Sequence, residues 1–329
     1  MQGLKKKKIS LNRVALIGVL VLLYLLFSAG SGRWLGKADI MNTLNNVYFM
    51  GFLTLGVTFV IATGGIDFSI GPVMYCCALV AGQLLVVYGW PLWLCLIICV
   101  LLGVLFGIVN GIMVAYMKLP SFISSMASMR MAQGIGALAT RSAGVSWPSA
   151  GQPNSWYRNL ATYKDFPVGL VILLAVAILC AIIMNKTRIG RYIRCIGNNR
   201  EAVRLSGVDT RGWESLAYVI CGLLAGIAAI MYVAVNTKVT TSGGDTFNNN
   251  AIAACVMGGT SMAGGTASIS GSFIGIIVIA LLRVGISAVK IPLANGGVLT
   301  LSPDWQYIIT GIIVALAVYA DVRSSARKR

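Results

Sequence analysis

Apolar residues in this chain come in long blocks rather than at isolated positions. The stretches Val14–Phe27, Leu170–Met184 and Phe273–Leu282 hold almost no ionisable groups, and each lies inside a longer apolar run. A helix needs about 20 apolar residues to cross a hydrocarbon core about 30 Å thick. By that rule the pattern predicts ten spans, near residues 13–30, 45–63, 72–88, 92–117, 120–140, 166–185, 213–235, 248–263, 268–289 and 305–321. Gly and polar residues interrupt the third and the eighth. Polar connections are short, the longest being Arg141–Asp165 and Asn185–Gly212. The expected fold class is an all-α polytopic membrane protein, a single transmembrane domain over residues 1–329 with no long soluble insert.

Two segments break the helical pattern at membrane depth. They are Thr63-Gly64-Gly65-Ile66-Asp67-Phe68-Ser69-Ile70-Gly71-Pro72 and Met257-Gly258-Gly259-Thr260-Ser261-Met262-Ala263-Gly264-Gly265. Gly weakens a helix and Pro removes a donor. Backbone groups freed inside a bilayer must be satisfied by protein or by cavity water, so such breaks belong in the bundle interior. In transporters they often flank the substrate path. Each break follows one apolar run and precedes another, which is compatible with a duplicated architecture.

Composition agrees with the pattern: 57% of residues are hydrophobic and only 11% charged, too few to cover a soluble surface. The net charge of +17 raises the question of nucleic acid, and its distribution answers it. With the start inside, 17 of the 26 Lys and Arg fall on inner segments, 7 on outer loops, and Arg130 and Arg283 within spans. That is the positive-inside rule, with both termini cytoplasmic, and not a nucleic-acid footprint. Lys5 to Lys8 before an apolar run mimic a signal peptide, but the run is longer than a signal core and lacks a clean cleavage site. It is expected to be an uncleaved anchor.

Candidate chemistry is sparse. There are eight Cys and no His; no zinc-type spacing occurs and no imidazole is available as a general base. No P-loop motif occurs, so ATP-driven work needs another chain, and no cofactor is expected here. Asp67 is the one acid set by itself at the membrane core, as a polar contact in a path or gate or as a structural cap for the next helix with Ser69. Arg283 can snorkel from the outer end of its span, whereas Arg130 sits mid-span and needs a polar cavity or a partner helix. Gly103–Gly107 and Gly222–Gly226 carry G-x-x-x-G spacing, for packing inside one subunit or for a dimer interface. The outer loop carries Trp147, Trp156, Tyr157 and Tyr163, either an interfacial aromatic belt or part of a docking face. In the inner loop, Asn198 or Asn199 can cap a short helix from near Arg200 to Gly207, for anionic lipid or for a partner.

At this loop the chain resembles the permease subunits of ribose-, galactose- and xylose-type ABC importers. The residues that carry the resemblance are Gly64-Gly65-Ile66-Asp67-Phe68-Ser69-Ile70-Gly71, Val109-Asn110-Gly111, Lys118-Leu119-Pro120-Ser121-Phe122-Ile123, Thr187-Arg188-Ile189-Gly190-Arg191, Ile196-Gly197-Asn198-Asn199, Arg204-Leu205-Ser206-Gly207-Val208, Gly258-Gly259-Thr260-Ser261 and Pro303-Asp304-Trp305-Gln306. They run in family order over nearly the whole chain. The resemblance implies an ABC importer permease fold of about ten spans in a bacterial inner membrane and a second permease copy or close paralogue. It also implies a cytoplasmic ATPase subunit and an extracytoplasmic sugar-binding protein. Residues 186–212 would be the cytoplasmic coupling loop, with Gly197, Asn198, Asn199, Glu201, Ala202, Arg204, Leu205 and Gly207 meeting the ATPase. Candidate path residues are Asp67, Ser69, Asn110, Arg130, Asn250, Thr260 and Ser261. Three departures bear on the ligand. Asn250 stands where the family usually has an acid, Gln133-Gly134 stands where it often has Arg-Gly, and a small polar residue common near Arg283 is lacking.

The expected function is the membrane subunit of an ATP-driven importer passing a monosaccharide from an external binding protein. A non-sugar ABC permease (nucleoside or amino acid) and an ion-coupled secondary transporter are the alternatives. The latter explains Asp67 and the broken helices but not the inner loop. A membrane enzyme is disfavoured by the lack of His, metal spacing and paired intramembrane acids.

Overall fold

The computed structural model describes residues 11–30, 36–241, 243–292 and 298–300, and positions 305, 307–312, 315 and 319. Its helices are α1 (Leu11–Gly30), α2 (Lys37–Ala62), α3 (Ile70–Val86), α4 (Leu92–Gly111), α5 (Ser121–Ala139), α6 (Val168–Lys186), α7 (Arg188–Leu205), α8 (Thr210–Val235), α9 (Asp245–Met257) and α10 (Ile269–Ala288). Two short antiparallel pairs add β1 (Val145–Ser146) with β2 (Lys238–Val239), and β3 (Lys290–Pro292) with β4 (Val298–Thr300). The expected span 305–321 lies mostly outside the described residues; those described there are helical.

Five of the described helices are long and apolar enough to cross a membrane: 37–62, 92–116, 168–186, 210–235 and 269–288. The eighth expected span, 248–263, is corrected. Its helix is the 13-residue α9, which stops at Met257, and residues 258–268 are not helical. At 1.5 Å per residue α9 covers about 20 Å, short of a bilayer core. Gly258 and Gly259 end it, with Gly259 at φ +87, a conformation that a side chain resists. The second span also begins earlier than expected, because Asp39 accepts from the Gly36 amide at 3.0 Å and starts α2 a turn and more ahead of the apolar run.

Helix α2 is the hub. It packs against α6, α8, α9 and α10, and 83% of its apolar window is buried, against 33% for 92–116 and 28% for 168–186. The peripheral helices thus turn wide apolar faces outward, as lipid contact requires. The most extensive helix packing is α4 with α8, and Gly makes it possible: Gly103 abuts Gly222 and Gly226, while Gly107 abuts the Tyr218 carbonyl. The two G-x-x-x-G faces meet each other inside one chain, the first of the two readings open to the sequence. At one end, Trp147 donates from Nε1 to the Ala78 carbonyl at 3.1 Å, and Tyr157 donates to the Pro148 carbonyl at 2.8 Å. Both rings are buried, so they pin the Arg141–Asp165 connection instead of standing in an aromatic belt; Trp156 and Tyr163 stay exposed. In the same connection Lys37 reaches Asp165 at 2.8 Å and holds that carboxyl below its usual range.

Candidate functional site

The first break, between α2 and α3, is closed by a polar network rather than left open. The Asp67 carboxylate accepts from the Ser69 amide at 2.8 Å and the Ser69 hydroxyl at 2.6 Å, both on Oδ1. Asn110, near the end of α4, donates to Ser69 Oγ at 2.9 Å and to Asp67 Oδ2 at 3.5 Å. Its own Oδ1 accepts from Ser128 at 2.6 Å and Ser124 at 3.5 Å on α5. All five side chains are buried. The structure therefore joins three of the expected path residues, Asp67, Ser69 and Asn110, and adds two serines. A polar stripe at Ser121, Ser124, Ser125 and Ser128 was the signal for them, since i, i+3, i+4 and i+7 share a helix face. Asn248 on α9 completes the closure: it accepts from the Gly71 amide at 2.6 Å and donates to the Phe68 carbonyl at 2.5 Å.

After Asn110 the helix changes pitch. Ile112–Tyr116 form a π-helical turn, and the Met117 amide bonds to the Ile112 carbonyl at 3.0 Å. Such turns store local irregularity and frequently mark functional places. The second break is tied differently. Thr260 and Ser272 lie 3.4 Å apart, Ser272 accepts from Thr58 of α2 at 3.0 Å, and the Gly265 amide bonds to the Ala62 carbonyl at 3.0 Å. Ser261 accepts from the Ala263 amide at 3.3 Å, and Asn250 is buried on α9. Arg130 is not part of either cluster. It is exposed on α5 and donates to Gln133 at 2.9 Å. The Arg283 guanidinium sits 5.7 Å from the Phe247 ring.

The basic helix α7 meets both breaks. It is two helices joined at a kink: Asn199 has φ −159 and ψ 96, and its Oδ1 accepts from the Ala202 amide at 3.0 Å. Of the two expected caps, Asn199 is the one that starts the short second helix. Before the kink, Gly197 lies against the Ala62 carbonyl and the Gly265 amide, and Gly264 lies against both Gly197 and Gly64. Gly265, at φ +78, leaves room for Asn198. After the kink, Glu201, Ala202, Arg204, Leu205 and Gly207 are exposed, Leu205 to 76%. Arg204 and Glu201 pair at 2.6 Å, and that hydrogen bond holds the Glu201 carboxyl below its usual range. Arg200 reaches back to Glu214 of α8 at 2.5 Å. Between the short helix and Thr63–Gly65 opens a cavity of about 710 Å³, also bounded by Lys118, Ser121 and Arg211. Among the described residues no His, Cys, Asp or Glu cluster could hold a metal ion.

Apolar helices around a central one, with a kinked basic helix seated on two broken segments at one end, define a multi-pass membrane protein. Residues 40–318 match the family described as the branched-chain amino acid transport system permease component, and the chain belongs to this family of ABC-transporter permeases. It is 30% identical to the xylose transport system permease protein XylH of Escherichia coli K12, over 98% of this chain and 94% of the relative. It is 30% identical to the ribose import permease protein RbsC of Bacillus subtilis 168, over 93% of this chain and 92% of that one. A third relative, the probable ABC transporter permease protein YphD of E. coli K12, is 31% identical over 97% and 93%. No solved structure matches. Family membership implies an ATPase in a separate subunit and an external binding protein as partners.

Proposed function

We propose that this chain is the membrane subunit of a bacterial importer that passes a monosaccharide, delivered by an external binding protein, through a passage formed with a second permease copy. Residues 1–329 act as one transmembrane domain with both termini in the cytoplasm, and the α7 end faces inward. The excess of Lys and Arg on segments at that end supports this orientation. The observation that carries the reading is the seat of α7: one helix touches the carbonyl end of α2 and the Gly264–Gly265 turn at Gly197, and a few residues later offers an exposed, charged tip. Residues 186–212 then form the coupling loop, and a push on Glu201, Arg204 and Leu205 by the ATPase reaches both breaks through Gly197 and Asn198. Asp67, Ser69, Asn110, Asn250, Thr260 and Ser261 hold the breaks in one of two arrangements, which is what a switch requires. The cavity beside Thr63–Gly65 falls within the range of about 300–1,000 Å³ typical of small-molecule sites and would be the inward mouth. ATP is consumed by the partner, and this chain needs no cofactor.

The test is charge reversal at the tip. Glu201→Lys with Arg204→Glu keeps the i, i+3 pair but inverts the field that the ATPase meets. In proteoliposomes with the ATPase and binding protein, uptake should fall by about tenfold or more while the chain inserts normally. Uptake at the unsubstituted rate sinks the coupling assignment. The family description favours a second reading, an amino acid as solute. Uptake of L-leucine in place of D-xylose, D-ribose or D-galactose would select it.

A further inference from the structure

Three polar side chains on the bundle surface are out of place for a lipid-facing position. Arg130 and Gln133 lie on α5, and Asp245 begins α9. Arg130 donates from Nη1 to Gln133 Oε1 at 2.9 Å, and Gln133 donates from Nε2 to Asp245 Oδ1 at 2.9 Å. The amide is thus oriented by the two charges, its oxygen toward the guanidinium and its nitrogen toward the carboxylate. Arg130 and Asp245 are exposed and Gln133 is half exposed. Asn249, one turn beyond Asp245, is exposed as well, and a Cβ on the exposed Gly134 would meet nothing within 4 Å. Hydrocarbon against this row would strip water from a guanidinium and a carboxylate, which disfavours a lipid-facing position.

From this geometry we infer that Arg130, Gln133 and Asp245 line the solute passage, on the wall this chain presents to the second copy, and that Arg130 and Asp245 bind the passing sugar through its hydroxyls. The inference rests on the sugar-import reading for the solute and on geometry alone for the lining. The relay is neutral overall and leaves the remaining guanidinium N–H groups and Asp245 Oδ2 free of the bonds described. A donor set beside a carboxylate acceptor fits neighbouring hydroxyls of an uncharged polyol, each of which accepts from one side and donates to the other. Gln133 is the positioning residue: it sets the spacing of the two charges and keeps them from collapsing into a direct ion pair. Asn250, buried one residue past Asn249, is not on this wall. The departures at 133 and 250 are therefore consistent with a polar wall carried by Arg130 and Asp245.

The experiment has two arms in membrane vesicles of the full complex. The first uses a Cys195→Ser background, since the other native cysteines are buried, and a membrane-impermeant maleimide. Gln133→Cys and Asp245→Cys should label, whereas Ile135→Cys, 45% exposed on the same helix, should not. Equal labelling at all three, or labelling at none, overturns the lining. The second arm measures uptake of D-xylose, D-ribose and D-galactose. Asp245→Asn should raise KM by about tenfold, the loss of one charge-assisted hydrogen bond, Gln133→Leu should raise it by letting the two charges it spaces shift, and Asp245→Glu should stay nearer the unsubstituted value. An unchanged KM in both overturns sugar contact at these residues. If the unsubstituted complex takes up none of these sugars, the function proposed above falls, while the labelling arm still decides the lining.

Discussion

Asp67 shows how one buried carboxylate can be both held and useful. Its two oxygens accept from three donors on Ser69 and Asn110, so neither is left bare. Asp67→Asn turns one acceptor into an amide donor and sets it against the Asn110 amide, leaving a buried donor unmatched at a cost of about 1–3 kcal/mol. Asn110→Asp alone places two carboxylates together. The exchange Asp67→Asn with Asn110→Asp reverses the 67–110 contact: the amide introduced at position 67 donates to the carboxylate introduced at position 110, which still accepts from Ser128, while the donation from position 110 to Ser69 Oγ is lost. Each single variant should lower the melting temperature of the detergent-purified chain, and the double variant should recover part of it, short of the lost bond to Ser69. A double variant as unstable as the sum of the singles would show that the groups are not coupled. The sequence pointed to Asp67 and Ser69 as a cap or a path residue; the structure joins the two in one network. Asn110 was legible only through its motif, and Asn248 not at all. Its partners, Gly71 and Phe68, lie about 180 positions away, and nothing local marks a contact that tertiary packing creates.

At the scale of helices, the α4–α8 crossing depends on four glycines, and their neighbours are backbone atoms that cannot rotate aside. Gly107→Val would push its side chain into the Tyr218 carbonyl and the Val219 Cα, forcing the axes apart. Overpacking of this kind costs about 1–3 kcal/mol or more. We expect the variant to lose its monodisperse peak in detergent chromatography, while Gly134→Ala, with open space around it, keeps the wild-type profile. Two equal profiles would remove the crossing from the list of essential contacts. The G-x-x-x-G spacing was readable, since small residues at i and i+4 make a flat stripe. Which stripe faced which was not, because spacing carries no partner. For α9 the break at Met257–Gly265 was legible from its glycines, but the expected span 248–263 was drawn through it; the helix ends at Met257, where that break begins. The extent of α7 was also underread: its first turns, from Arg188, carry too many charges for an apolar period, yet Ile193 and Ile196 give it a buried edge.

For the molecule as a whole, the decisive feature is that a single element spans from the exposed tip to both breaks. The route from Leu205 to Ala62 passes through Gly197, where a side chain would collide with the Ala62 carbonyl and the Gly265 amide. Gly197→Val therefore lifts α7 from its seat without touching Glu201, Arg204 or the Arg130–Asp245 wall. If motion is transmitted by this contact, the variant complex should still bind its ATPase and hydrolyse ATP, but uptake should fall by about tenfold or more, a separation of hydrolysis from transport. Gly207→Ala is the comparison: it strains a positive φ of 81° but meets no neighbour, so it disturbs the end of the short helix and not the seat. Equal loss in the two variants would assign the effect to the tip's shape. Full uptake with Gly197→Val would mean that the breaks move independently of α7, and the push would have to enter through Arg200 and its pairing with Glu214 at the start of α8 instead.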